Sequence, residues 1–482
     1  MKIMEKKAGG QTVVNRCLAL IVLLLFCQSI VVTPAWAYSL GDERKAGQEL
    51  LYTIRKYVKL VDAPDVQQYF RKLGAEVLKV ADGRHFTYRF FIINDKEFNA
   101  FAAPSGLIFF NTGLIDVVQS EDELVSVLAH EVGHAVSRHI ASRIEKGTVV
   151  NFATLGLALA ALALGGGEAS QALFMGSLAA GKSFQLSFSR HDEEEADRLA
   201  YEWMKEMKRD PREMESMLKS MRRITRYRMG KTIPQYLLTH PNPEVRLDYV
   251  QSLLVRDRES LGKGAVTDQF DFLRMKYRVL TTVLDSEKMR NSMAIKVADS
   301  RSSPFEVIMA KYGLSQLARL ENNFVRGNIL LDEVLAFFPD RPILLADKGV
   351  MEYEAGHLDR AIELLETARK KQHNDLYATF TLAGIYSDRQ DFVKAERYLN
   401  RVAVELPEYP KVYFELGKLK SRQGKRGDSH YYLGKFNLYE GRMKLAKANL
   451  HKAVAIRTTT EKLKEEAAEL LESLKDMKKN DD

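Results

Sequence analysis

Hydrophobic and polar positions follow more than one rhythm along this chain. Residues 43–51 and 63–73 repeat at helical period. Residues 86–94 and 106–111 are instead rich in β-branched and aromatic side chains, which predicts two strands. Between them, residues 99–106 are short-sided and broken by Pro104, a composition that suits an edge strand better than a central one. Helical spacing returns over residues 120–140, where Leu124, Val127, Leu128, Val132 and Val136 form one stripe. Ser120 and Glu123 stand at capping-box spacing before it, so one helix is predicted from 120 to 140. Residues 149–164 are apolar almost throughout, Gly165 to Gly167 interrupt them, and 169–180 are apolar again. A further helix opens at Ser189 and runs to about Met207.

Residues 255–304 are charged and only weakly periodic, which reads as a linker or transition helices. Beyond them the chain repeats. Gly349, Ala383 and Gly417 are 34 residues apart in turn, as are Ala361 and Ala395. A 34-residue spacing of small residues is the tetratricopeptide signature, two helices per unit stacked into a solenoid with a concave groove. Residues 305–341 read as a degenerate first unit, and the charged helix expected at 458–478 can cap the open end.

The N-terminus changes the picture. Lys2, Lys6, Lys7 and Arg16 precede an apolar run, 17–32, and Ala35-Trp-Ala37 forms a small-x-small cleavage site. Both cysteines, Cys17 and Cys27, fall in this leader, so a trimmed chain has no thiol, disulfide or cysteine ligand. Net charge is +8 for the 482 residues and about +5 without the leader. That mild balance is spread along the chain and gives no reason to expect nucleic acid as a partner. The sixteen residues 149–164 fall short of the ~20 needed to span a bilayer. The segment 149–180 is therefore expected to pack as a hairpin near the cleft, with peripheral membrane contact as its other reading.

The candidate chemistry sits in His130-Glu-Val-Gly-His134. On a helix the two histidines differ by only ~40° in azimuth and ~6 Å in rise, so both imidazoles can reach one cation. Glu131, rotated ~100° from His130, flanks that cation where it can take a proton from water. Zinc needs a third protein ligand. His139 lies ~180° around a continuous helix from His130 and is not expected to supply it. Glu193 and Asp197, four apart, share a helix face. They suit an ordinary acidic first turn, but beside a site lacking one ligand Glu193 becomes the candidate third ligand. Asp197 then becomes a carboxylate that orients a ligand histidine. Asn99, Ala100, Phe101 and Ala102 form the candidate edge on which an extended peptide would pair by main-chain hydrogen bonds.

Together, Asn99-Ala-Phe-Ala, Gly113-Leu114, His130-Glu-Val-Gly-His134, Ser189-Arg190 and Glu193-x-Glu-Ala-Asp197 resemble the zinc metallopeptidase family of HtpX and the CAAX prenyl endopeptidases. The resemblance covers about residues 40–250. It implies one zinc ion per chain, held by His130, His134 and Glu193. His240-Pro-Asn-Pro-Glu-Val-Arg246 matches a later family element, which implies catalytic roles for His240 and Arg246 in stabilising an oxyanion. A histidine near the open zinc position can also occupy it and hold the enzyme latent. Ala200 departs from the glycine frequent in the family.

The expected fold class is α+β: a mainly helical, HExxH gluzincin-type peptidase domain with a small edge-exposed sheet, then an all-α tetratricopeptide solenoid. The expected boundaries are 1–37 signal peptide, 38–260 peptidase, 261–304 linker or transition helices and 305–482 repeats. An exported peptidase joined to such repeats resembles the branch of the family that acts on outer-membrane β-barrel assembly. That implies the periplasm, misfolded or stalled envelope proteins as substrates, and assembly machinery as the partner of the groove. A chaperone or scaffold with structural zinc is the alternative. Deletion of 305–482 is expected to leave the metal site intact.

Overall fold

The structure, a computed structural model, describes residues 39–83, 85–145, 158, 161, 187–228, 235–262 and 267–478. The expected leader lies outside the described residues, as does the segment 149–180 apart from Ala158 and Ala161, which are buried helical positions. Among the described residues, no helix is long and apolar enough to cross a membrane.

Helices α1 (Leu40–Tyr57) and α2 (Pro64–Val80) come first. Three short strands follow: β1 (Arg89–Ile93), β2 (Ala100–Ala103) and β3 (Leu107–Asn111). They form one sheet in the order β1-β3-β2, with β1 parallel to β3 and β2 antiparallel, Ala100 facing Phe110. β2 is therefore an edge strand, as its composition predicts. Side chains alternate between two covered faces. Phe90, Ile92, Ile108 and Phe110 join the main core, whereas Phe91, Ile93, Phe101 and Phe109 pack with Leu50 and Ile54 of α1. With both faces covered, the strands are apolar except at Arg89 and Asn111 at their ends, instead of alternating with polar residues.

A short α3 (Thr112–Val117) leads to α4 (Glu121–Val136), in which every residue up to His134 is buried. Ser120 Oγ accepts from Glu123 N at 3.1 Å, and the Glu123 carboxylate accepts from Gln119 N at 2.6 Å. The acidic first turn lies at the positive end of the helix dipole. Arg209 fastens it, 3.0 Å from Glu121 and 2.5 Å from Asp122. The helix expected over 120–140 is corrected: α4 stops at Val136, Arg138 takes a left-handed φ of 52°, and α5 (His139–Glu145) starts anew. The break lets the His139 ring meet His134, a contact that a five-residue separation on a continuous helix, ~140° in azimuth, would forbid.

Helices α6 (Arg190–Glu206), α7 (Arg212–Arg228), α8 (Gln235–Thr239) and α9 (Pro243–Arg256) complete the N-terminal half. Next come α10 (Phe270–Val283) and α11 (Ser286–Ala298). Of the two readings of this segment the helical one holds, and α10 is moreover core: Phe270, Phe272 and Val279 are fully buried. Its charges disguise it: Arg274 and Arg278, ordinary surface residues by type, are buried here.

The C-terminal half is a stack of helix pairs. It comprises α12 (Pro304–Leu320), α13 (Phe324–Phe337), α14 (Pro342–Glu354), α15 (Leu358–Lys371), α16 (Leu376–Asp388) and α17 (Phe392–Glu405). α18 (Pro410–Arg422), α19 (Arg426–Tyr439), α20 (Met443–Ala455) and α21 (Glu461–Lys478) follow. α14, α16 and α18 start at 342, 376 and 410, and α15, α17 and α19 at 358, 392 and 426, which is the 34-residue period read from the small residues. Ala361, Ala383 and Ala395 are fully buried where the helices meet. α21 closes the stack with Ala467, Leu471 and Leu474 packed near Leu450 and Ala453.

The core does not break between the halves. One apolar cluster runs from Val66 through Phe270 and Tyr312 to Met351. Inside it lies a buried ionic knot: Arg274 bridges Asp65 at 3.0 Å and Asp347 at 2.7 Å, and Arg278 binds Asp65 at 2.9 Å. Farther along, Tyr52 of α1 packs into the last repeats with Tyr431 and Leu438. A Cβ on Gly441 would stand 2.4 Å from Lys56 N, so only glycine permits that approach. A cut at 304 would expose apolar core and take Asp347 from Arg274, leaving two arginines on the single carboxylate of Asp65, so removal of 305–482 disturbs the N-terminal half.

Asp375, at the start of α16, tests this buried seam. Its Oδ1 accepts from Ala378 N at 2.8 Å, while Oδ2 is buried without a partner. Burial, only partly offset by that bond and by Arg274, pushes its pKa up to about 6. The folded value exceeds the unfolded ~3.9. Ionisation therefore costs stability above about pH 6 and nothing below about pH 4. Asp375→Asn keeps the cap, and should raise the thermal midpoint at about pH 7.5 but not at about pH 4. Circular-dichroism melts check this; an equal effect at both values would contradict it.

Candidate metal centre

α4 and α6 cross where their residues are small. A Cβ on Gly133 would lie 3.3 Å from the Ala196 backbone, so glycine within the histidine motif is what lets the two helices approach this closely. Ser189 starts α6 with a full capping box: its side chain accepts from Asp192 N at 3.2 Å, and Asp192 accepts from Ser189 N at 2.9 Å. Glu193 and Asp197, four apart, then face α4. From the other side, Asn242 adopts a left-handed φ of 59° before α9, and Phe188 N donates to Thr239 O at 2.8 Å, bringing His240 and Arg246 in.

The result is a convergence of four buried side chains. His130, His134, Glu193 and His240 each offer a ligand atom, all within 4.8 Å of one another. His130 Nε2 lies 3.1 Å from His134 Nε2 and 3.4 Å from His240 Nδ1. Glu193 is 3.5 Å from each of His130 and His134 and 2.8 Å from His240 Nδ1. Tetrahedral zinc with Zn–N ~2.0–2.1 Å places its donors about 3.3 Å apart, so the set fits such an ion. The unmet polar atoms fit as well. Both Glu131 oxygens and His240 Nε2 are buried without a hydrogen-bond partner, a condition a native interior rarely tolerates. Glu131 is fully buried, with Oε1 3.4 Å from His240 Nε2.

A second ring holds the donors. His130 Nδ1 lies 2.9 Å from Asp197 Oδ1, an acceptor only, so its proton is on Nδ1 and Nε2 turns to the centre. Arg246 clamps Asp197 in two bonds of 2.8 and 2.7 Å, stands 3.1 Å from Glu193 Oε2 and donates to the Tyr236 hydroxyl. Burial acts to raise the Asp197 and Glu193 carboxyls. Arg246 and His130 overcome it at Asp197, and His240 and Arg246 at Glu193, so both are held below the usual range. Burial pushes His134 well below its usual value, which keeps it neutral. For His130, burial and Arg246 pull down but Asp197 and Glu193 prevail, raising it to about 9, so a cation there must displace a second proton.

His130, Glu131, His134, Glu193, Asp197, His240 and Arg246 thus come together. Asn99, Ala100, Phe101 and Ala102 do not join them in any hydrogen bond or ion pair among the described residues. They lie on and before β2, which packs against α4, and both Asn99 amide atoms are buried without partners. Sequence reasoning missed three aromatic supports. Tyr236 stacks on His240 at 4.7 Å, Phe188 on His134 at 3.9 Å, and the His139 ring meets His134 edge-on at 5.0 Å. Tyr236 alone left a signal, its four-residue spacing from His240.

Residues 64–254 match the sequence profile of peptidase family M48. The chain carries a family M48 peptidase domain. It is 27% identical over 394 residues to the beta-barrel assembly-enhancing protease of Yersinia pestis, covering 80% of this chain and 79% of that one. The protease of the same name from Escherichia coli is 27% identical over 369 residues, 75% of this chain and 73% of its own. The mitochondrial metalloendopeptidase OMA1 of Schizosaccharomyces pombe is 30% identical over 186 residues, 39% of this chain and 52% of its own. The enzyme class is metallopeptidase, and the four-donor cluster is where its metal can be held.

Arg246→Leu would leave Asp197 and Glu193 buried without their guanidinium. A loss of about 3–5 kcal/mol is expected, read by urea unfolding in the presence of chelator. A loss below about 1 kcal/mol would mean that the clamp is not structural.

Proposed function

We propose that this protein is a zinc-dependent endopeptidase of the bacterial periplasm. It degrades misfolded or stalled envelope proteins and supports outer-membrane protein assembly, with the repeats docking substrate or assembly machinery. The observation that carries the reading is Glu131: a fully buried carboxylate with neither oxygen hydrogen-bonded, beside four converging donors. Such a group is costly unless it serves a reacting proton. The names of the similar bacterial proteases support the assembly role, and residues 1–37 support export.

His130, His134 and Glu193 would hold the ion, and His240 offers a fourth donor that closes the resting site. Zinc supplies Lewis acidity, polarising a peptide carbonyl and lowering the pKa of water toward ~7. Glu131 takes the proton of the attacking water and returns it to the leaving amine. Asp197 fixes the tautomer and direction of His130. Arg246, engaged by Asp197, Glu193 and Tyr236, acts by holding the carboxylates. His240, once turned from the centre, can donate to the developing oxyanion. β2 is an edge strand, but Ala100–Ala103 are buried, so it must be uncovered before its main chain can pair with an extended peptide. Such pairing accepts many sequences, so selection falls to the repeats, which raise the local concentration of whatever they bind.

The presence of four donors also suits a structural zinc site, since those are four-coordinate and closed. That favours a second reading, an envelope chaperone or scaffold with little proteolysis. Glu131→Gln separates the two. Cleavage of an unfolded protein should fall about 10²–10⁴-fold, with zinc content by mass spectrometry unchanged. Unaltered cleavage would remove Glu131 from the reaction, and function retained in the variant would favour the scaffold.

A further inference from the structure

His139 takes no part in the four-donor cluster, yet it is 5% exposed and its Nδ1 lies 2.8 Å from His134 Nδ1. Two imidazole nitrogens at that distance share one proton, so one ring donates and the other accepts. The far side of His139 decides the direction. Its Nε2 lies 3.3 Å from Glu195 Oε2 and 3.9 Å from Asp192 Oδ1, carboxylates that accept and do not donate. His139 therefore keeps its proton on Nε2 and presents a bare Nδ1. His134 must then carry its own proton on Nδ1, which leaves the Nε2 lone pair facing the cluster. Ser137 Oγ donates to the other oxygen of Glu195 at 3.2 Å and fixes the carboxylate. Phe188, stacked on His134 at 3.9 Å, holds the ring plane.

We propose that His139, backed by Glu195, is a positioning residue that sets the tautomer and direction of His134 for metal binding. It does for His134 what Asp197 does for His130. The left-handed turn at Arg138, φ 52°, is what makes it possible, because it returns residue 139 to the back of residue 134. The inference rests on the metal reading of the cluster but not on proteolysis.

The test is zinc affinity of the full chain by competition with a chromophoric chelator, with the absorption spectrum of the cobalt-substituted protein beside it. His139→Phe keeps bulk and loses the acceptor; affinity should fall about 10–100-fold, with altered cobalt bands. His139→Asn places an amide oxygen where Nδ1 stood and should recover most of the affinity. Glu195→Ala, at a partly exposed site where folding is not at risk, should weaken binding several-fold. Affinity in His139→Phe within about twofold of the parent would overturn the proposal. So would an Asn variant as weak as the Phe variant, since bulk or Nε2 would then be what matters, and so would an unchanged Glu195→Ala. A parent chain that binds zinc tightly yet cleaves nothing would defeat the proposed peptidase while leaving this inference standing. A parent chain without zinc affinity would defeat both.

Discussion

The close crossing of α4 and α6 is the constraint on which the centre depends. Gly133 and Ala196 bring the two backbones together, and no larger residue at 133 would fit without displacement. Only at that separation can Glu193 lie 3.5 Å from both His130 and His134 while Asp197 reaches the back of His130. The charges follow from this geometry. Two buried carboxylates on one face need cationic partners, and Arg246 meets both from α9. With those carboxylates satisfied, Glu131 is left with no hydrogen bond and only His240 within ion-pair distance, poised for a proton instead of for structure.

A second dependence joins this centre to the repeats. The apolar core that supports α4 continues through α10 into α12 and α14, and the Asp65–Arg274–Asp347 knot lies within it. Ion pairs in such a place contribute little net stability when intact but are costly to break. They favour one arrangement of the halves over others. The repeats are thereby held against the peptidase half by a shared core, not by a flexible tether.

Much of this was legible in the sequence wherever the signal is local. The pairs His130–His134 and Glu193–Asp197 are four apart and declare a shared helix face. The spacing of Gly349, Ala383 and Gly417 declares the repeat, and Pro104 marks the edge strand. The illegible parts are long-range or depend on a break in regularity. Nothing in residues 137–139 announces the left-handed turn, so assuming a continuous helix put His139 on the wrong side. The charges of α10 concealed it: Arg274 and Arg278 are residue types expected at the surface, yet they are buried against Asp65 from a distant helix, a pairing no local pattern announces. The boundary at 304 looked like a domain edge because composition changes there, although packing does not.

The most direct measurement is anomalous X-ray scattering at the zinc edge from crystals of the chain grown without added metal. One strong peak per chain is predicted, within bonding distance of His130, His134 and Glu193, with Glu131 outside the ligand set. No peak, a peak elsewhere, or Glu131 bound directly to the ion would contradict the assignment of metal ligands and proton acceptor.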